Sequence, residues 1–134
     1  MNNQSILCPC GNAHKEYTDC CARYLSGHED AATAEVLMRS RYTAYTFENE
    51  DYLLATWHPS TRPDSLKLAD VPHKKWLGLH VNRHTQIGEN HSVVEFIARY
   101  KVGGRAHRLH EISRFVREGG RWFYVDGEIS PETG

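Results

Sequence analysis

From about residue 33 the apolar positions recur at helical spacing, and from about residue 76 they alternate with polar ones. Thr33 can cap a helix running through AEVLMRSRYTAYTF. At 100° per residue, Ala34, Leu37, Met38, Tyr42, Ala44 and Tyr45 form one stripe, with Arg41 in its middle. A guanidinium there must meet a carboxylate, open onto a cavity, or lie along the apolar face and reach water. A second short helix is expected from Asp51 to Trp57, stopped by His58-Pro59 because the residue before proline disfavours the α region. Residues 59 to 75 read as loop, with one short helix around Asp64 to Ala69.

The last third predicts four strands: WLGLHVNRH, HSVVEFIARYKV, RAHRLHEISRFVRE and RWFYVDG. They are separated by IGEN, Gly103-Gly104 and Gly119-Gly120, and Gly-Gly between alternating runs predicts a two-residue hairpin. Across the first pair, Phe96 should face Glu111, Ala98 Leu109, and Glu95 Ile112. Across the second, Phe115 should face Tyr124, Ser113 Asp126, and Arg114 Val125. One face then groups Phe96, Ala98, Leu109, Phe115, Trp122 and Tyr124 around Glu111, Ser113 and Asp126. The other groups Val93, Ile97, Ile112, Val116, Phe123 and Val125 with Glu95, His110 and Arg114. A free antiparallel sheet normally keeps one face wet. With both faces apolar, helices should cover one and a second copy the other, which makes a homodimer through the sheet an expectation. Helices followed by an antiparallel meander make an α+β layout.

At 134 residues the chain suits one domain with a small appendage, and it can bury a core without staples. Lys+Arg 16 against Asp+Glu 17 leaves a net charge of −1, so no basic field favours nucleic acid. No run of about 18 apolar residues predicts a membrane-spanning helix. MNNQSILC carries neither a basic n-region nor an apolar h-region, so a cytoplasmic location is expected.

That compartment changes the reading of the four cysteines, which all lie in CPCGNAHKEYTDCC. In a reducing cytosol such a cluster serves a metal more often than a disulfide framework. Four thiolates complete a tetrahedral shell around Zn2+, so Cys8, Cys10, Cys20 and Cys21 are the expected ligands of a structural zinc. Pro9 and Gly11 fit the tight turn between the first two. Cys20 and Cys21 are adjacent, an awkward geometry, and His14 could replace one of them; a disulfide is the competing arrangement.

CPCG…CC resembles the zinc-binding SEC-C motif of the SecA translocation ATPase, which usually has eight residues between its second and third cysteines where this chain has nine. SRYTAY, DYLLATWHPS, FIARYK and EISRFVREGGRWFYVDG resemble the YchJ family, uncharacterised bacterial proteins joining a SEC-C motif to a cone-shaped domain like nuclear transport factor 2. The resemblance implies a zinc knuckle over residues 1–30 and an α+β domain over 31–134, its N-terminal helices packed on a curved antiparallel sheet. YchJ proteins often end in a second SEC-C motif; this chain ends in PETG, which argues against a role bridging two zinc knuckles.

The resemblance also implies a pocket between helices and sheet. The candidate residues are Arg41, Tyr45, Trp57, His58, Glu111, Ser113 and Asp126. Glu111 with His58 could perform general acid–base chemistry, or Arg41 and Glu111 could form a buried ion pair fixing helix to sheet. No phosphate loop, nucleophile motif or dinucleotide fingerprint occurs. A full metal shell without a complete catalytic set favours a binding or adaptor module, with a small-molecule ligand in the cone and a protein partner on the knuckle. A small pocket enzyme is the alternative.

Overall fold

Four antiparallel strands follow one another without a crossover in a computed structural model that describes residues 6–12, 15–68 and 74–130. They are β1 (Lys75–Ile87), β2 (His91–Val102), β3 (Arg105–Glu118) and β4 (Arg121–Ser130), in the order β1-β2-β3-β4. Both Gly-Gly turns have two positive φ angles, 57° and 81° at Gly103-Gly104 and 59° and 80° at Gly119-Gly120. Only glycine takes that pair of conformations without steric penalty, and the resulting twist matches the strands it joins.

Ahead of the sheet come α1 (Ala22–Leu25), α2 (Ala34–Thr46) and α3 (Glu50–Ala55). Thr33 Oγ1 accepts a hydrogen bond from the Val36 amide at 3.1 Å, which starts α2 at the expected residue. The apolar stripe of α2 lies on the sheet, where Leu37, Met38 and Tyr42 join Val94, Phe96, Phe115 and Trp122 in the core.

The expected second helix is shorter than its sequence suggested. Asn49 caps it through the Tyr52 amide at 3.1 Å, and it ends at Ala55. Residues 56–58 run instead along the free edge of β4. The Tyr124 amide donates to Thr56 O at 2.9 Å, and the His58 amide donates to Tyr124 O at 2.7 Å. This short pairing occupies backbone groups that an edge strand would otherwise expose. The helix expected around Asp64 to Ala69 is absent over residues 64–67, where Lys67 takes a φ of 51°; Ala69 lies outside the described residues.

The β2–β3 register is as the hairpin predicted, with Phe96 opposite Glu111, Ala98 opposite Leu109 and Glu95 opposite Ile112. In β3–β4, Phe115 does face Tyr124, but a bulge follows. Val125 has no partner, so Arg114 faces Asp126 and Ser113 faces Gly127. The extra residue falls beside the Thr56–His58 pairing and reverses every side chain beyond it, as a one-residue bulge must.

On the outer face Val93, Ile97, Ile112, Val116, Phe123 and Val125 remain half-buried. Two polar pairs cross this face, His110 Nε2 with Glu95 Oε2 at 2.7 Å and Arg114 Nε with Asp126 Oδ1 at 2.6 Å. Among the described residues, no helix is long and apolar enough to cross a membrane.

Candidate metal centre and cavity

The cysteine-bearing segment folds back on itself before α1 begins. Leu7 and Glu16 form an antiparallel bridge, with Cys8 N–H donating to Lys15 O and Tyr17 N–H donating to Ile6 O, both at 2.8 Å. Pro9, Cys10 and Gly11 make the turn, closed by Gly11 N–H on Cys8 O at 3.0 Å, and Gly11 has a φ of 73° that suits glycine. Cys20 and Cys21 follow a single 3-10 turn at Tyr17–Asp19. Cys20 has an irregular backbone, φ −129° and ψ −111°, between that turn and α1, and with it both adjacent sulfurs reach the cluster.

The four sulfurs are buried and lie within 4.8 Å of one another. A tetrahedral shell with bonds of about 2.3 Å has sulfur–sulfur edges of about 3.8 Å. Cys10 Sγ and Cys20 Sγ are 3.6 Å apart, and all four cysteines are free rather than disulfide-bonded. The donor set therefore fits a metal ion. Backbone amides of Cys10 and Cys21 point at the Cys8 sulfur, and that of Asn12 at the Cys10 sulfur. Thr43 Oγ1 of α2 is 3.7 Å from Cys8 Sγ. His14 lies outside the described residues.

Four thiolates cannot share so small a volume without a cation. The Cys8 thiol is drawn far below its ordinary value by hydrogen bonds from Cys10 and Cys21. The same contacts, with burial, drive Cys21 up. At Cys10 the Cys21 hydrogen bond pulls down, yet Cys8 and burial outweigh it and push the thiol up to about 12. Crowding and burial thus hold protons on Cys10 and Cys21, which a divalent ion bound among the four sulfurs would displace.

This knuckle is docked rather than appended. Arg39 of α2 donates from Nη1 to Cys10 O at 3.0 Å and from Nε to Glu35 Oε2 at 3.0 Å. Tyr17 meets Phe47 edge-on at 5.1 Å.

Between α2 and the sheet lies a cavity of about 370 Å3. Arg41, Tyr45, Glu111 and Ser113 line it, as does Tyr124. Arg41 is only 5% exposed. Its Nη1 donates to Leu53 O at 2.8 Å and Thr56 Oγ1 at 2.7 Å, and its guanidinium lies over the rings of Tyr124 (4.5 Å) and Trp57 (5.1 Å). Burial lowers its proton affinity from the ordinary arginine value.

The expected Arg41–Glu111 ion pair is not formed. Glu111 Oε2 instead accepts from Ser113 Oγ at 2.5 Å and Tyr124 OH at 3.3 Å. Its carboxylate occupies the space beside Gly127, where any Cβ would collide with Glu111 Oε2. Burial, then the neighbouring Glu111, raises the Tyr124 phenol above its ordinary value.

Three predicted pocket residues do not line the cavity. Trp57 backs Arg41 and meets Tyr124 edge-on at 4.8 Å. His58 turns to the far edge, with Nε2 2.9 Å from Glu118 Oε2 and Nδ1 2.7 Å from Ser60 Oγ, so it is no partner for Glu111. Asp126 is carried to the outer face by the Val125 bulge and pairs with Arg114. Two contributors were missed, Thr56 and Tyr124. Tyr124 was legible as a neighbour of Glu111 on the same face but read as packing alone.

Residues 33–127 match the family described as YchJ, middle NTF2-like domain. A UPF0225 protein of Ralstonia nicotianae is 54% identical over 136 residues, covering 94% of this chain and 93% of its own. One from Chromobacterium violaceum is 55% identical over 127 residues, covering 92% and 93%. The solution structure of a SEC-C motif containing protein from Rhodopseudomonas palustris is similar with a TM-score of 0.83 at 36% identity, over 94% of this chain and 100% of that one. The crystal structure of a SEC-C motif containing protein from Psychrobacter arcticus has a TM-score of 0.77 at 28% identity, over 98% and 86%.

Proposed function

This chain belongs to the YchJ family, and from that premise we propose that it is a zinc-stabilised binding module rather than an enzyme. Its first 30 residues form the SEC-C knuckle, and residues 31–134 form the cone. The ion is Zn2+, held by Cys8, Cys10, Cys20 and Cys21. Such a shell leaves no open position for water, so the metal is structural. The observation that carries this reading is the convergence of four buried sulfurs on one another, in a knuckle tied to α2 through Cys8 and Cys10.

The knuckle carries exposed apolar residues, Ile6 at 51% and Leu7 at 62%, and its Tyr17 meets Phe47, which is 44% exposed. That patch supports a protein partner. The cavity supports a small-molecule ligand, since its size falls within the roughly 300–1,000 Å3 of ordinary ligand sites. A second copy covers the half-buried outer sheet face; a solution mass of one chain would remove that element. The enzyme alternative needs an acid–base partner for Glu111, and the orientation of His58 toward Glu118 weakens it.

Chelation tests the core of the reading. Stripped of metal, residues 6–12 and 15–25 should lose dispersed amide signals while β2 and β3 keep theirs. An unchanged N-terminal spectrum in metal-free protein would reject the structural zinc.

A further inference from the structure

Four charged residues line the cavity, Arg41, Lys74, Glu48 and Glu111, and of these Arg41 and Glu111 are each fixed by neutral protein groups on one side and unfilled on the other. Arg41 spends only Nη1 on Leu53 O and Thr56 Oγ1, and its Nε and Nη2 have no partner among the described residues. Glu111 spends Oε2 on Ser113 and Tyr124, leaving Oε1. The Tyr45 hydroxyl likewise has no protein partner there. None of these atoms is sealed in protein. Among the described residues, the one fully buried side-chain polar atom without a partner is His84 Nε2. The spare donors and acceptor therefore open onto the cavity that their residues line.

Tyr124 joins the two charged groups. Arg41 lies 4.5 Å over its ring, and its hydroxyl donates to Glu111. The cation thus sits over the face of the phenol and the anion at its hydroxyl, a spacing within reach of a single small molecule. The remaining wall is mostly apolar, with Met38, Trp76, Phe96, Leu109 and Phe115; it also carries Glu48 and Lys74, whose Nζ lies over the rings of Trp76 at 5.7 Å and Tyr100 at 4.9 Å. A simple anion would meet Arg41 but face Glu111, and a simple cation the reverse; each would leave one buried charge opposed.

We propose that the cavity binds a small zwitterion with an apolar body, its carboxylate on Arg41 and Tyr45 and its ammonium on Glu111. Apolar α-amino acids have this chemistry. The proposal rests on the cavity being a ligand site and adds the class of ligand.

Ligand-observed NMR on the full metal-loaded chain tests it with four probes: L-phenylalanine, 3-phenylpropanoate, phenethylamine and benzyl alcohol. L-Phenylalanine should bind at least tenfold more tightly than either singly charged probe. Glu111→Gln, which keeps shape and removes charge, should abolish that preference while the melting temperature and metal content stay unchanged. If Glu111→Gln fails to fold, the probe series on the unaltered chain decides alone. Equal binding of the three charged probes, or binding of benzyl alcohol alone, would overturn the zwitterion while leaving a ligand cavity. If no probe enters, both the zwitterion and the cavity as a ligand site are rejected.

Discussion

Arg39 Nη1 donates to the Cys10 carbonyl at 3.0 Å, tying the turn between the first two cysteines to the middle of α2. The knuckle and the cone therefore share one packing unit, and the cysteines extend the core formed by Leu37, Met38 and Tyr42. Groups that orient metal ligands without touching the metal commonly change affinity about 10- to 100-fold when removed. Arg39→Ala should weaken metal binding roughly tenfold at the low end of that range, measured by competition with a chromophoric chelator. Unchanged affinity would mean that the knuckle holds its shape without α2.

Metal binding should weaken as pH falls. The Cys10 thiol is pushed up to about 12 and Cys21 is pushed up as well, so both carry protons at neutral pH that the ion must displace. Each proton released lowers affinity about tenfold per unit fall in pH. Calorimetry in two buffers of different ionisation enthalpy counts these protons. A value near zero would contradict the protons held on Cys10 and Cys21.

Arg41→Ala should destabilise the domain by about 3 kcal/mol in urea unfolding. The substitution removes the guanidinium that lies against both the Trp57 and Tyr124 rings and leaves the Leu53 carbonyl only a long contact from Thr56 Oγ1 at 3.4 Å. Thr56 Oγ1 would keep its bond to Tyr52 O at 2.8 Å, which limits the loss. A change below about 1 kcal/mol would show that the site relaxes around the missing side chain.

Gly127→Ala should reverse sign with its background. In the unaltered chain the new Cβ displaces the Glu111 carboxylate and breaks its bond with Ser113, a loss of about 1 kcal/mol. In Glu111→Ala the obstruction is gone, and alanine in a strand is favoured over glycine by roughly 0.5–1 kcal/mol. A double-mutant cycle measures the coupling, and additive effects would refute the contact.

Much of this architecture was legible because local rules act on strong signals. Thr33 announced α2, and two Gly-Gly pairs set a register that holds from Phe96–Glu111 to Phe115–Tyr124. The alternation beyond Tyr124 gave no warning of the bulge at Val125, because the Thr56–His58 segment that pairs there comes from nearly seventy residues earlier. Asp126 was misplaced for that reason alone. His58 was misassigned for a related one: a helix expected to reach Trp57 would have carried it differently, whereas the chain leaves α3 at Ala55 and runs along β4. Arg41 was recognised as an anomaly, but its solution, carbonyl, hydroxyl and two aromatic faces, combines distant groups that no periodicity marks.

The most direct test of the zinc knuckle is elemental analysis of the purified chain beside a mass measurement of its thiol state. One zinc per chain, with all four cysteines reduced, is the result predicted. Chains carrying no zinc, lighter by the hydrogens lost to sulfur–sulfur bonds, would contradict it.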